Sequence, residues 1–340
     1  MTRRCGAELV ASIGNVSMYL LGAGSAFPPG KLSDENLAAL GASYSDSERK
    51  LLSRVGVASR AVALSPESLR TLGSVDILET RKAATLSPTT LGLQAAKNAL
   101  ERAGISIEQV GLIVADCGTP YQTCPSEAQR IAGAFGIKIP AYDLAIGAAA
   151  VPMFFHIINS WREDRVPDYV LFVSTNTPSL HVRYGADHVA AGVFGDAAFA
   201  CVVSRRHQGR WRVLSTGANS HYPRRKAVSV ERHITLSEQD IPSTESLRSE
   251  VASLLSDSDL GENTYFIGPG LVAHEFASIL SERGVSMGRI SSTVSETGYS
   301  LGSASGAALV GVCDRAASGE SVAMIHCGDG LSAKVVLMRS

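Results

Sequence analysis

The same order of elements occurs twice along this chain, and this repeat limits the folds open to it. In the first half a helix ends at Gly136, a strand follows, and the turn Gly147-Ala148-Ala149 leads into an apolar helix. In the second half a helix ends at Gly284, a strand follows, and the turn Gly302-Ser303-Ala304 leads into another apolar helix. The two turns are about 155 residues apart, which indicates a duplicated unit rather than a solenoid of short repeats. Coincidence between two ordinary α/β units is the alternative.

The hydrophobic pattern predicts strands and helices that alternate throughout the chain, which is typical of a layered α/β fold. Predicted strands cover residues 16–21, 110–115, 168–174, 264–267 and 290–294. Predicted helices cover residues 89–102, 125–136, 151–161, 247–255, 273–283 and 306–312. Gly104 is expected to end the first of these helices in a left-handed conformation, and Pro125 to occupy the first turn of the second. Length and repeat together predict two similar halves, 1–190 and 191–340.

Composition is ordinary for a compact protein and gives no sign of a partner attracted by overall charge. The 340 residues are 45% hydrophobic and 19% charged, and a net charge of −1 gives no field to attract nucleic acid or an anionic membrane. Six scattered cysteines do not make a disulfide framework, and Cys117 and Cys124 have no second pair at zinc-site spacing. No apolar stretch reaches membrane-spanning length, and Glu8 interrupts the apolar run that a signal peptide needs. We therefore expect a reduced, cytoplasmic protein without a metal or organic cofactor.

One segment, residues 204–243, departs from the pattern because it is polar, weakly periodic and rich in arginine. Its basic residues include Arg205, Arg206, Arg210, Arg212, Arg224, Arg225 and Lys226. A solvated hairpin and loop is the simpler interpretation. A basic docking surface for an acidic carrier protein is the functional one.

Several motifs, in their order and spacing, resemble the ketoacyl-ACP synthase III (KAS III) branch of the thiolase superfamily. They run from about residue 16 to residue 340 and comprise Gly22-x-Gly24-x-x-Phe27-Pro28, Gly56-Val57-Ala58-Ser59-Arg60, the segment 89–104, Pro125-Ser126-Glu127-Ala128, Asp143 with the turn after it, Phe194-Gly195-Asp196-Ala197-Ala198 and the segment 298–309. The resemblance implies a five-layered α-β-α-β-α fold built from two duplicated halves, and a dimer.

The resemblance also implies where a catalytic triad would stand, and this chain lacks all three of its side chains. Ala148 occupies the position of the family's nucleophilic cysteine at a helix N-terminus. Pro269 matches the family's histidine, and Tyr299 matches its asparagine, or Ser300 does if the register slips by one residue. The family uses these groups to form an acyl-enzyme and to stabilise a carbanion.

Backbone amides do not depend on side-chain identity, so a thioester carbonyl can still be bound. The resemblance implies such an oxyanion pocket at Ala148 and the glycines Gly328 and Gly330. Cys327 is the candidate for a relocated nucleophile, although His326 beside it should face the opposite way on a strand. Cys124, which precedes Pro125 at a helix start, is a second candidate thiol at a position that the family does not use. We expect structural roles for His326 and Cys327, as for His156 and His274.

Three functions remain open. The first is a triad-less KAS III-like subunit of fatty-acid or polyketide-type secondary metabolism. It would bind acyl-CoA or a phosphopantetheine-bound acyl group and work as a homodimer or as a heterodimer with an active paralogue. The second is an acyltransferase that passes an acyl group directly from acyl-CoA or acyl-ACP to an amine or hydroxyl without a cysteine intermediate. The third is thioester binding without catalysis. Ordinary decarboxylative condensation is not expected, because it needs the missing groups.

Overall fold

The computed structural model describes residues 18–72, 76–185, 187–220, 229–230, 233–236, 241–255, 261–328 and 330–340. Its strands are β1 (Tyr19–Ala26), β2 (Gly30–Ser33), β3 (Ser59–Val62), β4 (Leu112–Asp116), β5 (Ala141–Asp143), β6 (Val170–Asn176), β7 (Ala197–Ser204), β8 (Trp211–Ser220), β9 (Ser229–Val230), β10 (Ile234–Thr235), β11 (Thr264–Ile267), β12 (Ser321–His326) and β13 (Leu331–Arg339). Its α-helices are α1 (Asp34–Ala39), α2 (Asp46–Val55), α3 (Pro66–Leu72), α4 (Ile77–Ala83), α5 (Pro88–Ala103), α6 (Glu127–Phe135), α7 (Ala150–Ser160), α8 (His188–Val193), α9 (Thr244–Leu254), α10 (Ala273–Glu282), α11 (Val294–Thr297) and α12 (Gly302–Arg315).

The main sheet consists of two halves with the same pairing pattern. Its nine strands lie in the order β11-β12-β13-β8-β1-β7-β6-β4-β5. From β1 outward, β1–β7 and β7–β6 are antiparallel, whereas β6–β4 and β4–β5 are parallel. From β8 outward, β8–β13 and β13–β12 are antiparallel and β12–β11 is parallel, and a parallel bridge joins Phe266 of β11 to Ile290. This correspondence confirms the duplication.

Helices cover both faces of each half-sheet. Along β6, Leu171 and Val173 pack in the cluster under α5, while Phe172 packs in the cluster shared with α7. Helices α7 and α12 contact each other and strands of both half-sheets, α5 and α6 cover the outer face of the first half, and α9 and α10 pack together beside the second. The layers are therefore α-β-α-β-α, as the resemblance implied.

Local sequence signals explain why the predictions of helix α5 and strand β11 are confirmed. Ser87 caps α5 by accepting a hydrogen bond from the Thr90 N–H, and Gly104 ends the helix with a φ of +67°. Strand β11 covers the predicted residues, because the buried run of four residues has turn residues after it.

Other boundaries were wrong for identifiable reasons. Helix α6 begins after Pro125, because the Ser126 side chain caps it by accepting from the Gln129 N–H. The predicted strand 290–294 reduces to the single bridge at Ile290, and Val294 begins the short helix α11.

Strand β1 continues beyond the predicted end at residue 21 as far as Ala26, so Gly22 and Gly24 are strand residues. A Cβ on Gly22 would lie 2.4 Å from the Ala103 nitrogen, and one on Gly24 would lie 2.6 Å from the Ala99 nitrogen. Both glycines therefore allow α5 to lie directly on β1.

The arginine-rich segment 204–243 is not simply a solvated hairpin and loop. It contains β8, which pairs along its length with β13 and joins the two half-sheets through Tyr19 and Leu20 of β1. Arg205 is buried and donates to the carbonyl oxygen of Trp161. The Arg224-Arg225-Lys226 run lies outside the described residues, so the docking-surface interpretation stays a prediction.

The first copy of the repeated unit ends with β7, and the second begins with β8. The predicted division after residue 190 falls inside α8, and β7, which follows it, pairs with β1 and β6 of the first half. The first structural unit thus includes the strand that ends at Ser204.

Helix α12 offers a test of the packing between the central layer and the sheet. A Cβ on Gly306 would lie 2.1 Å from Cγ of the buried Phe199, whereas the nearest atom to a Cβ on Gly311 is the flexible Arg315 Nη1 at 3.6 Å. We expect Gly306→Ala to lower the free energy of unfolding by ~1–3 kcal/mol or more. The matched Gly311→Ala should raise it by up to ~1 kcal/mol. Chemical denaturation measures both, and equal effects would contradict the packing.

Candidate functional site

The turn that carries Ala148 is held by a buried carboxylate. Asp116, the last residue of β4, accepts hydrogen bonds at Oδ1 from the N–H groups of Ile146 (2.9 Å) and Gly147 (3.0 Å). Gly147 adopts a φ of +71°, which glycine tolerates best. Ala148 follows in a 3₁₀ turn that continues into α7, and its side chain is partly exposed. Burial raises the pKa of Asp116 to about 7, against the opposing effect of these two amide hydrogen bonds.

A second segment reaches the same place from β11. Pro269 precedes the 3₁₀ turn Gly270–Val272 that leads into α10. A Cβ on Gly268 would lie 2.2 Å from the Phe276 ring, and one on Gly270 would lie 2.9 Å from the Tyr299 ring. The two glycines therefore let α10 and Tyr299 pack directly against the backbone on either side of Pro269.

The third segment, 298–301, is fixed by backbone hydrogen bonds. The Tyr299 N–H donates to the Val193 carbonyl (2.9 Å), and the Tyr299 carbonyl accepts from Gly195 N–H (3.2 Å). The Tyr299 ring is buried 5.8 Å from the Phe194 ring, centroid to centroid. Ser300 is also buried, and its Oγ has no hydrogen-bond partner within the described part of the chain.

These segments meet at one small recess. It is lined by Ala148, Pro152, Gly268, Gly270, Tyr299, Leu301, Ser305, Met324, Ile325 and His326. The structure thus brings together Ala148, Tyr299 and the two glycines beside Pro269. The space open to the centres of water molecules is about 10 Å³, which is enough for roughly one water. A larger groove of about 670 Å³ lies elsewhere, along β1 and α5, and contains none of the predicted site residues.

His326 is a lining residue that sequence reasoning assigned to structure alone. It ends β12, is 7% exposed, and its Nε2 has no hydrogen-bond partner among the described residues. Burial lowers the pKa of His326 to about 4, while Glu250 and the Gly328 backbone act in the opposite direction. The signal available in the sequence was the alternation of side chains between the two faces of a strand, which places His326 and Cys327 on opposite faces. It did not indicate which of the two faces the recess.

The other predicted candidates lie outside the recess lining. Cys327 is buried in the hydrophobic core, and Cys124 is exposed. The Gly328 N–H donates to Glu250 Oε2 at 3.1 Å. Of the three residues expected to form an oxyanion pocket, only Ala148 lines the recess, so the role of Gly328 and Gly330 stays a prediction.

Two further histidines were expected to be structural. The ring of His156 is half-buried, and its Nδ1 lies 3.3 Å from Thr216 Oγ1 on β8, which confirms a packed, hydrogen-bonded residue. The ring of His274 lies against Gly56, where a Cβ would be 2.4 Å from it.

The described residues contain no group of three or more His, Cys, Asp and Glu side chains placed to hold a metal ion. None of the described helices has both the length and the apolar character needed to cross a bilayer.

Comparison with known proteins supports the resemblance. No protein-family model matches the chain. It is 27% identical over 198 residues to the β-ketoacyl-[acyl-carrier-protein] synthase III of Rhizorhabdus wittichii, covering 58% of this chain and 55% of that protein. The chain therefore aligns with little more than half the length of this curated relative.

Solved structures share the fold across almost the whole chain. The 3-oxoacyl-[acyl-carrier-protein] synthase III of Aquifex aeolicus superimposes with a TM-score of 0.78 at 19% identity, covering 95% of this chain and 100% of that one. The priming β-ketosynthase of the R1128 polyketide biosynthetic pathway gives a TM-score of 0.76 at 19% identity, covering 95% and 96%. At these identities the likeness establishes the fold.

The carboxyl group of Asp116 offers a test of how the turn is held. Because its pKa is raised, the folded protein keeps a proton on Asp116 between about pH 4 and pH 7, whereas the unfolded chain releases it. The contribution of this group to the free energy of unfolding therefore falls as the pH rises through that window. Asp116→Asn keeps Oδ1 as an acceptor and removes the charge. We expect the free energy of unfolding of Asp116→Asn, minus that of the parent chain, to increase from pH 5 to pH 8 by up to ~3 kcal/mol.

Denaturant unfolding at several pH values measures this difference. Asp164→Asn is the matched control, because Asp164 is largely exposed and its removal should give a small, nearly constant difference. A difference for Asp116→Asn that does not change with pH would contradict the assignment.

Proposed function

We propose that this chain, a KAS III-like protein with the thiolase-like fold, is a non-condensing subunit that works with an active ketosynthase paralogue. We place it in the cytoplasm, in fatty-acid or polyketide-type secondary metabolism, where it shapes the binding of an acyl thioester. The observation that carries the proposal is the meeting of Ala148, Tyr299 and the glycines beside Pro269 at one recess.

The chemistry of the recess supports this role. Claisen-type condensation needs a nucleophile to hold the acyl group and donors to stabilise the carbanion. The described lining residues include no cysteine, lysine or asparagine. The methyl group of Ala148 has no lone pair, and the proline ring at position 269 has neither a free N–H nor a basic nitrogen.

The size of the recess points the same way. A space that holds about one water has no room for an acyl chain alongside the thioester. The acyl chain is then held mainly by the partner, and this chain contributes the wall and the backbone around the thioester.

In the described part of the chain, one edge of the main sheet has no neighbouring strand and supplies a place for the partner. Strand β5 pairs with β4 on one side and is the last strand in the order of the main sheet. Tyr142, at its centre, is 36% exposed. An edge of this kind pairs readily with a strand of another chain, and a second KAS III-like subunit with an intact nucleophile is the occupant we propose.

The alternative is an acyltransferase in which the acceptor attacks a bound acyl-CoA or acyl-ACP directly. One observation favours it: the recess is lined by His326, whose Nε2 has no hydrogen-bond partner among the described residues. In either role the ligand is an acyl thioester, carried by CoA or by phosphopantetheine, and no further cofactor is required.

Acyl-enzyme formation separates these roles from an ordinary synthase. After incubation with acetyl-CoA, intact-protein mass spectrometry should show no adduct on the parent chain. Ala148→Cys should gain one acetyl group, because the start of a helix lowers a thiol pKa. It should still not condense with malonyl-ACP, since Pro269 and Tyr299 remain.

Ala145→Cys is the control, because Ala145 lies in the same loop, is exposed and does not line the recess. Its acetylation should be much slower. An adduct on the parent chain that maps to Cys327 or Cys124 would contradict the proposal by revealing a relocated nucleophile.

Pairing is tested by isolating the chain from its native host and by mixing it with purified paralogues. We expect a complex with a ketosynthase that retains cysteine, histidine and asparagine, and condensation that requires this partner. Tyr142→Glu should weaken the complex at least tenfold, because it buries a charge at the shared edge.

Met287→Glu is the matched control, since Met287 is 61% exposed and lies away from β5 in sequence and sheet order. A homodimer that condenses acyl thioesters alone at full rate would overturn the proposal.

A further inference from the structure

Leu301 has a backbone conformation that is strained for a residue with a side chain. Its φ is +56° and its ψ is −134°. Within the described part of the chain it is the one non-glycine residue with a positive φ. This region of φ and ψ suits glycine, and a bulky side chain there is an outlier. Because such strain persists mainly at sites where it serves a purpose, the side chain of Leu301 is expected to have a role.

Contacts on both sides of Leu301 impose this conformation. Two residues before it, the Tyr299 N–H donates to the Val193 carbonyl of α8 at 2.9 Å. Two residues after it, Ser303 Oγ donates to the Ser174 carbonyl of β6 at 3.0 Å. These anchors fix the chain on either side, so the residue at position 301 cannot relax without moving one of them.

The side chain of Leu301 lies between the recess and the end of β4. Leu301 lines the recess and is 8% exposed. A Cβ on Gly118 would lie 2.6 Å from Leu301 Cδ1, so a methyl group of Leu301 rests on the backbone just after β4. Gly118 is itself partly exposed. The leucine therefore separates the recess from the space beside Gly118.

The turn alone gives no reason for a leucine at this position. Glycine would adopt the same φ and ψ without strain. What leucine adds is four carbon atoms of filling, as many as a butyl group has. With this side chain in place, the space left in the recess is about 10 Å³, which is enough for roughly one water.

We propose that Leu301 is a specificity-determining residue that closes the recess to the acyl chain of a thioester. The proposal rests on the thioester recognition proposed above and deepens it, because it names the residue that limits the ligand. The thioester group reaches Ala148, and the acyl chain attached to it stays outside the core of this subunit. The ligands are then thioesters of CoA or phosphopantetheine, and their affinity for this chain does not depend on the length of the acyl chain.

Binding of three CoA thioethers to the full chain tests this role. S-methyl-, S-butyl- and S-octyl-CoA differ only in the attached chain and cannot be hydrolysed, and isothermal titration calorimetry measures their affinities. The parent should bind all three about equally, because no carbon beyond the first becomes buried. Each methylene buried on binding raises the affinity roughly fourfold, so Leu301→Gly should prefer S-butyl- over S-methyl-CoA by at least ~tenfold.

Two further variants keep the binding test decisive. Leu301→Ala removes three carbons at the same place and should show the same preference in weaker form. Leu100→Ala is the matched control, since Leu100 is 6% exposed and packs in a different hydrophobic cluster, under α5. It opens a space away from the recess and should behave like the parent. Thermal unfolding of each variant checks that the fold is intact.

The strain at position 301 has a readout that needs no ligand. Leu301→Gly should unfold at a denaturant concentration equal to or higher than that of Leu301→Ala, because glycine relieves the positive φ. Inside helix α5 the order should reverse, with Leu100→Gly less stable than Leu100→Ala. If glycine is the less stable of the two at position 301 as well, the strain and the proposal built on it are overturned.

The outcomes separate this proposal from the proposed function. A parent chain that itself prefers S-butyl- over S-methyl-CoA tenfold does not exclude the chain, which overturns the role of Leu301 and leaves thioester recognition intact. Variants at position 301 that bind S-methyl-CoA but gain nothing from the longer chain have the same consequence. A parent that binds none of the three thioethers overturns thioester recognition and the role of Leu301 together.

Discussion

The contact between the starts of the two central helices determines the rest of the structure. A Cβ on Gly302, the first residue of α12, would lie 2.6 Å from the Gly147 carbonyl oxygen and 3.0 Å from Ala150 Cβ. Glycine at this position lets α12 meet the turn that precedes α7. Ser303 strengthens the contact by donating to the Ser174 carbonyl (3.0 Å) and accepting from Asn176 Nδ2 (2.9 Å). Since both helices lie between the half-sheets, their meeting point places the recess at the centre of the duplicated fold.

Much of this architecture could be predicted from the chain itself, because repeated order and local caps are written in neighbouring residues. Helix α5 has its serine cap and its terminal glycine in sequence, and β11 is a short buried run. The glycines of β1 and the true start of α12 could not be assigned, since their purpose is close approach to elements far away in sequence. Sequence order does not show which backbone will lie within 3 Å of a missing side chain.

The candidate site could likewise be predicted only in part from the sequence. Ala148 and Tyr299 were singled out from the resemblance, and the structure brings them to one recess. His326 was assigned a structural role, because a histidine beside a cysteine on a strand gives no indication of which one faces a cavity. The size of the recess also depends on how three separate segments pack, which no local pattern specifies.

A crystal structure of the chain with bound S-octyl-CoA tests the central claim most directly, namely that thioester recognition persists at a site without a nucleophile. The account predicts that the analogue's sulfur-bound carbon lies in van der Waals contact, within ~4 Å, of the Ala148 methyl group. An analogue seated away from this recess, or a thiol such as that of Cys327 within bonding reach of the carbon, would contradict the account.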